Sequence, residues 1–120
     1  MAITFQHLVQ APDGDTKIAG TGIRVYTILG VYEVGETPEY IAEQRDLPIA
    51  AVFEALAYGF EHPDEMEAMR RDNEAAGHWA LSQLPEELRR QAEQALQEQE
   101  QARQEAIRQT REARHGALVL

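Results

Sequence analysis

The chain has 120 residues, 21 acidic and 11 basic side chains, a net charge of −10 and no cysteine. This length suits one domain of ordinary size, and the lack of cysteine excludes disulfides and cysteine-ligated metal centres. No apolar run is long enough to span a membrane and the N-terminus lacks the pattern of a secretory signal, so we expect a cytoplasmic protein that on average repels nucleic acid.

The composition divides the chain into two parts. All eight aromatic residues lie between Phe5 and Trp79. Residues 1–77 hold 14 acids and 5 bases, whereas residues 78–120 hold 7 acids and 6 bases. We therefore predict a helix-turn-helix-like domain with an N-terminal hairpin over residues 1–77, and a helical C-terminal extension over residues 78–120.

The first predicted element is a β-hairpin. Apolar and polar residues alternate near the N-terminus, and the buried face of the predicted strand would carry Ile3, Phe5, His7 and Val9. Residues 11–15 contain Pro, Asp and Gly and predict a turn. Residues 16–19 can form the second short strand of the hairpin, and so short a hairpin would need to pack against helices to be stable.

Three helices are predicted next. The first closes near Gly35, and its apolar residues at helical spacing are Val25, Ile28, Leu29 and Tyr32. Thr37 and Pro38 are typical of the N-cap and first position of a short second helix that runs to about residue 44. Its inward residues would be Ile41 and Ala42. The third helix has an apolar face made of Ile49, Val52, Phe53, Leu56 and Phe60.

The remaining residues predict two further helices. The first starts at Pro63 and ends near Ala76, before Gly77. The second runs from Leu84 to about Arg114 in a strongly helix-forming composition. Its heptad frame is weak, since Ala and Gln fill most of it, and three roles stay open: a partner-docking helix, a solvated tail, or a homomeric coiled coil. The residues expected to contact a partner are Leu88, Leu96, Arg103, Ile107, Leu118 and Leu120.

Motifs for enzymatic chemistry are weak. Residues 20–25 begin like a dinucleotide-binding glycine loop but lack its third glycine and its preceding apolar strand. The four histidines form no ligand pair of the kind that binds zinc. Ser82 is the only serine and has no evident base beside it. We therefore expect no enzyme, no metal and no cofactor.

Residues 37–61 have the pattern of a helix-turn-helix, with Asp46 at the turn position that usually carries glycine. Docking of this motif on DNA would place the second helix in the major groove. The outward residues expected there are mainly small or acidic: Ala50, Ala51, Glu54, Tyr58 and Glu61. The candidate DNA-binding set is therefore Lys17, Arg24, Arg45, Ala50, Ala51 and Glu54. A helix-turn-helix that serves as a packing or protein-binding scaffold is the alternative.

Four ordered blocks of the sequence resemble one protein family. They cover residues 18–29, 35–43, 52–58 and 62–66, and together they are similar to the domain of unknown function 433 family. The resemblance implies a helix-turn-helix-like fold and a VapB-like antitoxin encoded beside a PIN-like ribonuclease. In this chain, Gly22 stands at the family's arginine position and Arg24 at its proline position. The resemblance does not extend to the C-terminal helix.

These observations lead to one leading hypothesis and one alternative. The leading hypothesis is an antitoxin-like binding protein that neutralises a PIN-like ribonuclease, with autoregulatory DNA binding as a second activity. The alternative is a stand-alone helix-turn-helix transcriptional regulator that binds operator DNA. The sequence leaves the oligomeric state open, although operator-binding proteins of this size are usually homodimers.

Overall fold

The computed structural model describes residues 5–119, with side chains through residue 116. Within this part of the chain, a two-stranded antiparallel hairpin is followed by five helices. This confirms the predicted mainly α fold with an N-terminal hairpin and a long C-terminal helix. The chain divides into two compact units, one ending at Met66 and the other beginning at Glu67.

The hairpin joins β1 (Leu8–Gln10) to β2 (Thr16–Ile18). Leu8 pairs with Ile18, and Gln10 pairs with Thr16. Residues 11–15 form the predicted turn, which contains Gly14 at a φ of 87°. Glycine enters this left-handed region without the steric cost that a side chain would impose.

The inward side of β1 differs from the predicted one. Leu8 packs against the core, whereas Val9 is 48% exposed; Ile3 lies outside the described residues. The strand begins only at Leu8, because the chain bends at Gln6 and His7. Their backbone N–H groups donate to a carboxylate of a distant helix and not to a neighbouring strand.

Three helices build the core of the first unit. They are α1 (Val25–Glu33), α2 (Pro38–Arg45) and α3 (Ile49–Glu61), all close to their predicted positions. The largest fully buried side chains are Val25, Ile28, Ile41 and Val52. Ile18 from β2 and Met66 join the same cluster. The hairpin is therefore supported by helices, as its length requires.

The α2–turn–α3 segment has the predicted helix-turn-helix pattern. The Thr37 side chain caps α2 by accepting a hydrogen bond from the Tyr40 N–H at 3.1 Å. Ile41 and Ala42 are buried, as predicted. Asp46 ends α2 in the left-handed region with φ 52° and ψ 53°, a conformation that Asp tolerates better than most residues.

The buried face of α3 was only partly predicted. Val52 and Leu56 are buried, but the other buried positions are small: Ala51, Ala55 and Gly59. A Cβ added at Gly59 would lie 3.1 Å from Leu29 Cδ2, so the small residues mark a close approach of α3 to α1. Three residues of the predicted apolar face, Ile49, Phe53 and Phe60, are exposed, because small side chains take the inner positions.

Two longer helices complete the chain. They are α4 (Pro63–Ser82) and α5 (Glu86–Val119). The prediction that a helix ends before Gly77 was wrong, because α4 continues through this glycine for five more residues. An isolated glycine weakens a helix by only about 1 kcal/mol and does not by itself end one. The predicted long helix is confirmed and begins just after Pro85.

Candidate interaction surfaces

The three cations predicted to contact DNA each pair with a carboxylate. Lys17 Nζ lies 3.7 Å from Asp13 Oδ2, and the Arg24 Nε–H donates to Asp15 Oδ2 at 2.6 Å. Asp15 is only 7% exposed, so Arg24 compensates a buried charge. The Cζ atom of Arg24 also lies 5.2 Å from the centroid of the Tyr26 ring, and the backbone of Arg24 forms an isolated antiparallel β-bridge with Lys17.

The third of these cations, Arg45, lies at the C-terminal end of α2. Its Nη1 is 3.6 Å from Glu36 Oε2. The side chains of Arg45 and Glu36 are 25% and 30% exposed, so this pair is shielded from solvent for most of its surface. A phosphate would have to compete with a resident carboxylate at all three predicted positions. The arrangement is therefore a poor starting point for backbone contacts to DNA.

The α3 residues predicted to read bases have different roles from one another. Ala50 is exposed, as predicted. The expectation of an outward Ala51 was wrong, because its side chain is 0% exposed on the face that meets α1 and α2. Glu54 was also predicted to face a ligand, but its carboxylate binds the chain segment before β1. Of the three, Ala50 alone could approach a base edge.

Glu54 holds the N-terminal segment onto α3. Its Oε1 accepts from the Gln6 N–H at 2.5 Å, and its Oε2 accepts from the His7 N–H at 3.0 Å and contacts His7 Nδ1. Burial pushes the pKa of Glu54 up, but these hydrogen bonds outweigh burial and leave the pKa below its ordinary value. Sequence reasoning missed this contact, because 47 residues separate Glu54 from His7.

A second polar cluster joins the hairpin, α3 and α4. The hydroxyl of the buried Thr16 lies 3.1 Å from the Tyr58 hydroxyl and 3.2 Å from Glu65 Oε1. The pKa of Tyr58 lies above its ordinary value, mainly because the hydroxyl is buried. The hydrogen bond with Thr16 lowers this pKa, whereas Glu65 raises it further. His62 stacks on the Tyr58 ring with centroids 4.0 Å apart. Glu65 Oε2 is buried with no hydrogen-bond partner among the described residues. No motif in the sequence signalled this cluster.

An apolar stripe remains exposed along α3. It consists of Ile49, Phe53 and Phe60, which are 40%, 51% and 58% exposed. At 100° per residue these three positions lie within about 40° of one another around the helix. Beside the stripe, α2 and the turn form a shallow groove lined by Glu39, Ala42, Glu43, Asp46, Leu47 and Ile49. We call the stripe and this groove together the α3 surface.

The residues predicted to contact a partner from α5 are mostly available. Leu88 and Leu96 are 52% and 47% exposed, and Arg103 lies 3.8 Å from Glu100. Ile107 is 7% exposed and is therefore less accessible than these two leucines. The side chains of the last two predicted residues, Leu118 and Leu120, lie outside the described part of the structure.

Among the side chains that the structure describes, no three His, Asp or Glu residues come together as a metal site requires. Within the same limits, no helix combines the length and the apolar character needed to cross a membrane.

The first unit combines an N-terminal hairpin with a three-helix core, in which α2 and α3 have a helix-turn-helix pattern. Residues 13–59 match the family model described as "Protein of unknown function (DUF433)", so this segment is similar to that family. The match runs from the hairpin turn into α3 and leaves α4 and α5 outside. No curated protein and no solved structure matches the chain.

Proposed function

We propose that the protein is a cytoplasmic antitoxin-like binding protein that neutralises a PIN-like ribonuclease, with α5 as the segment that docks on the nuclease. The resemblance of the sequence to an antitoxin-like family motivates the choice of partner. The observation that carries the docking role is the scarcity of buried apolar side chains in the second unit. Ile107 is the only buried residue described from Glu67 onward.

A helix with so little core gains stability from a partner. Most of the helical stability in proteins comes from packing of an apolar face, and propensity adds little. The ion pairs along α5, such as Arg108 with Glu105 and Glu112, are exposed and contribute little. Full burial of a leucine is worth about 1.5–3 kcal/mol. Because Leu88 and Leu96 are about half exposed, a partner that covers both would gain roughly 2 kcal/mol.

The charge distribution fits this role. A ribonuclease must present a basic surface to hold RNA, and an acidic protein is steered toward such a surface. The first 77 residues carry most of the excess of acids, whereas the part from residue 78 is nearly neutral. The acidic first unit would thus speed association, while the mixed-charge α5 could lie against a surface of either sign.

Full-length variants test the docking role against the nuclease encoded beside this protein. We expect the double substitution Leu88→Glu with Leu96→Glu to weaken inhibition of RNA cleavage at least tenfold, since two charges would enter an apolar contact. The matched control is Gln91→Glu with Gln97→Glu, which adds the same charge at exposed positions of the same helix. Equal inhibition by both double variants would refute the docking role of α5.

A stand-alone DNA-binding regulator is the second candidate, and the capped α2, the left-handed Asp46 and α3 favour it by their helix-turn-helix pattern. It predicts binding to the protein's own upstream DNA with a steep dependence on salt. Arg24→Ala and Arg45→Ala should each weaken that binding and lower the salt dependence. DNA binding that neither substitution alters, or no binding at 50 mM salt, would exclude this candidate.

A further inference from the structure

We infer that the α3 surface is a docking site for a basic amphipathic helix of a protein partner. The inference concerns the first unit and does not rest on the proposed role of α5. Helix α3 carries more apolar residues than one buried face can use. Ala51, Val52, Ala55, Leu56 and Gly59 face the core, and three large apolar side chains are left over.

The shape of the stripe fits a helix. From Ile49 to Phe60 the helix rises by about 16 Å, which is three turns. Phe53 lies between them, so the apolar contacts recur at the intervals that helix-in-groove recognition uses. Phe60 already packs edge-on against Tyr32, with ring centroids 6.0 Å apart, and this contact fixes its position while 58% of it stays exposed. Rigid aromatic groups of this kind are typical interface anchors.

The charges beside the stripe define the chemistry of the partner. The groove carries three acids, Glu39, Glu43 and Asp46, and none of these has an ion-pair partner among the described residues. The nearest cation in sequence, Arg45, pairs with Glu36. At helical spacing the opposite flank of the stripe carries Ala50 and Ala57, and Glu61 is the first charged residue on that side. A complementary helix therefore carries apolar residues on one face and Lys or Arg along the flank that meets α2.

Two other occupants fit this surface less well. A second copy of the chain would bring the same three groove acids into one isologous interface, where they repel one another. DNA would place phosphates beside those acids and would leave Phe53 without a hydrophobic contact. A basic helix satisfies both the apolar stripe and the groove, which is why we choose it.

The test uses the full chain and two synthetic 18-residue helical peptides in a fluorescence anisotropy titration. Both peptides carry leucines at positions i, i+4, i+7 and i+11; the first has lysines along one flank, and the second has glutamates there. We expect the lysine peptide to bind at least tenfold more tightly than the glutamate peptide. Phe53→Ala should weaken binding about tenfold, and so should the combined Glu39→Gln and Glu43→Gln substitutions.

The control variant is Trp79→Ala, which removes a 68% exposed aromatic residue that is outside the α3 surface. It should leave peptide binding unchanged. Circular dichroism and the thermal midpoint verify that each variant folds, which is expected because Phe53 is half exposed. No binding of the lysine peptide, equal binding of both peptides, or equal effects of Phe53→Ala and Trp79→Ala would overturn the inference. It would also be overturned if Phe53→Ala dissociated a homodimer in sedimentation, or abolished binding of a DNA duplex.

Discussion

Replacing Glu54 by Gln should release the N-terminal segment from α3. In the native protein one carboxylate accepts from two backbone N–H groups and contacts His7 Nδ1, and its side chain is 19% exposed. A Gln side chain has the same shape but loses the charge, and its NH₂ group faces at least one of these donors. The substitution therefore weakens every contact and leaves one donor without a partner.

The expected loss in the free energy of unfolding follows from these contacts. Hydrogen bonds to a charged group contribute about 1.5–3 kcal/mol each, and bonds between neutral groups contribute roughly half of that. Part of the loss is offset, because a released segment recovers conformational entropy of about 1–2 kcal/mol per residue. We therefore expect Glu54→Gln to lower the free energy of unfolding by about 2 kcal/mol at pH 7, measured by urea denaturation.

The same contact has a defined pH dependence. Since the pKa of Glu54 is lower in the folded protein than its ordinary value of 4.5, its contribution to stability is present above that value and is lost as the pH falls through the lower folded value. The difference in stability between wild type and Glu54→Gln should thus shrink below pH 4. Glu61→Gln is the control, because it removes an exposed acid from the same helix. A loss at pH 7 no larger than that of the control, or a difference that does not shrink as the pH falls into the acid range, would refute this reasoning.

Two further substitutions test the packing of the first unit by urea denaturation. Arg24→Ala should lower the free energy of unfolding by about 2 kcal/mol because it leaves the buried Asp15 uncompensated. Its control is Arg90→Ala, which breaks an exposed pair on α5 and should change the stability little. Equal losses of stability in the two variants would contradict this prediction. Gly59→Val should lower the free energy of unfolding by about 1–3 kcal/mol, because it overpacks the contact between α3 and α1. Gly30→Val is the control and should not lower the stability, because a Cβ added there meets nothing within 4 Å. An unchanged stability of the Gly59 variant would show that α1 can move away.

Local signals explain why much of the fold could be predicted from the sequence. The bounds of α2 follow from Thr37 and Pro38 at its start and from Asp46 at its end, and each of these acts within its own turn. The same holds for α5, whose composition favours a helix at almost every position. The prediction that a helix ends at Gly77 was wrong because the helix propensity of glycine is only about 1 kcal/mol less favourable than that of alanine, and helix-forming neighbours easily override this difference.

The parts that could not be predicted depend on distant contacts. The start of β1 is set by Glu54, which takes up the N–H groups of Gln6 and His7 from the other end of the unit. The face of α3 that is buried is set by α1, since the close approach at Gly59 selects the small side of the helix. Periodicity alone does not separate a buried apolar face from an exposed one when both occur on one helix.

We therefore base the proposed choice of partner on the exposed side of α3 and not on the helix-turn-helix pattern around it. A fold of this kind can serve DNA or protein partners, and the side chains that it presents decide between them. To bind phosphates, Lys17, Arg24 and Arg45 would each have to exchange or share a carboxylate partner, and a rearrangement that drew Arg24 away would leave the buried charge of Asp15 uncompensated. A protein partner requires no such rearrangement, because Phe53 and the groove acids are already exposed or unpaired among the described residues. For this reason we rank a protein partner ahead of DNA at this surface.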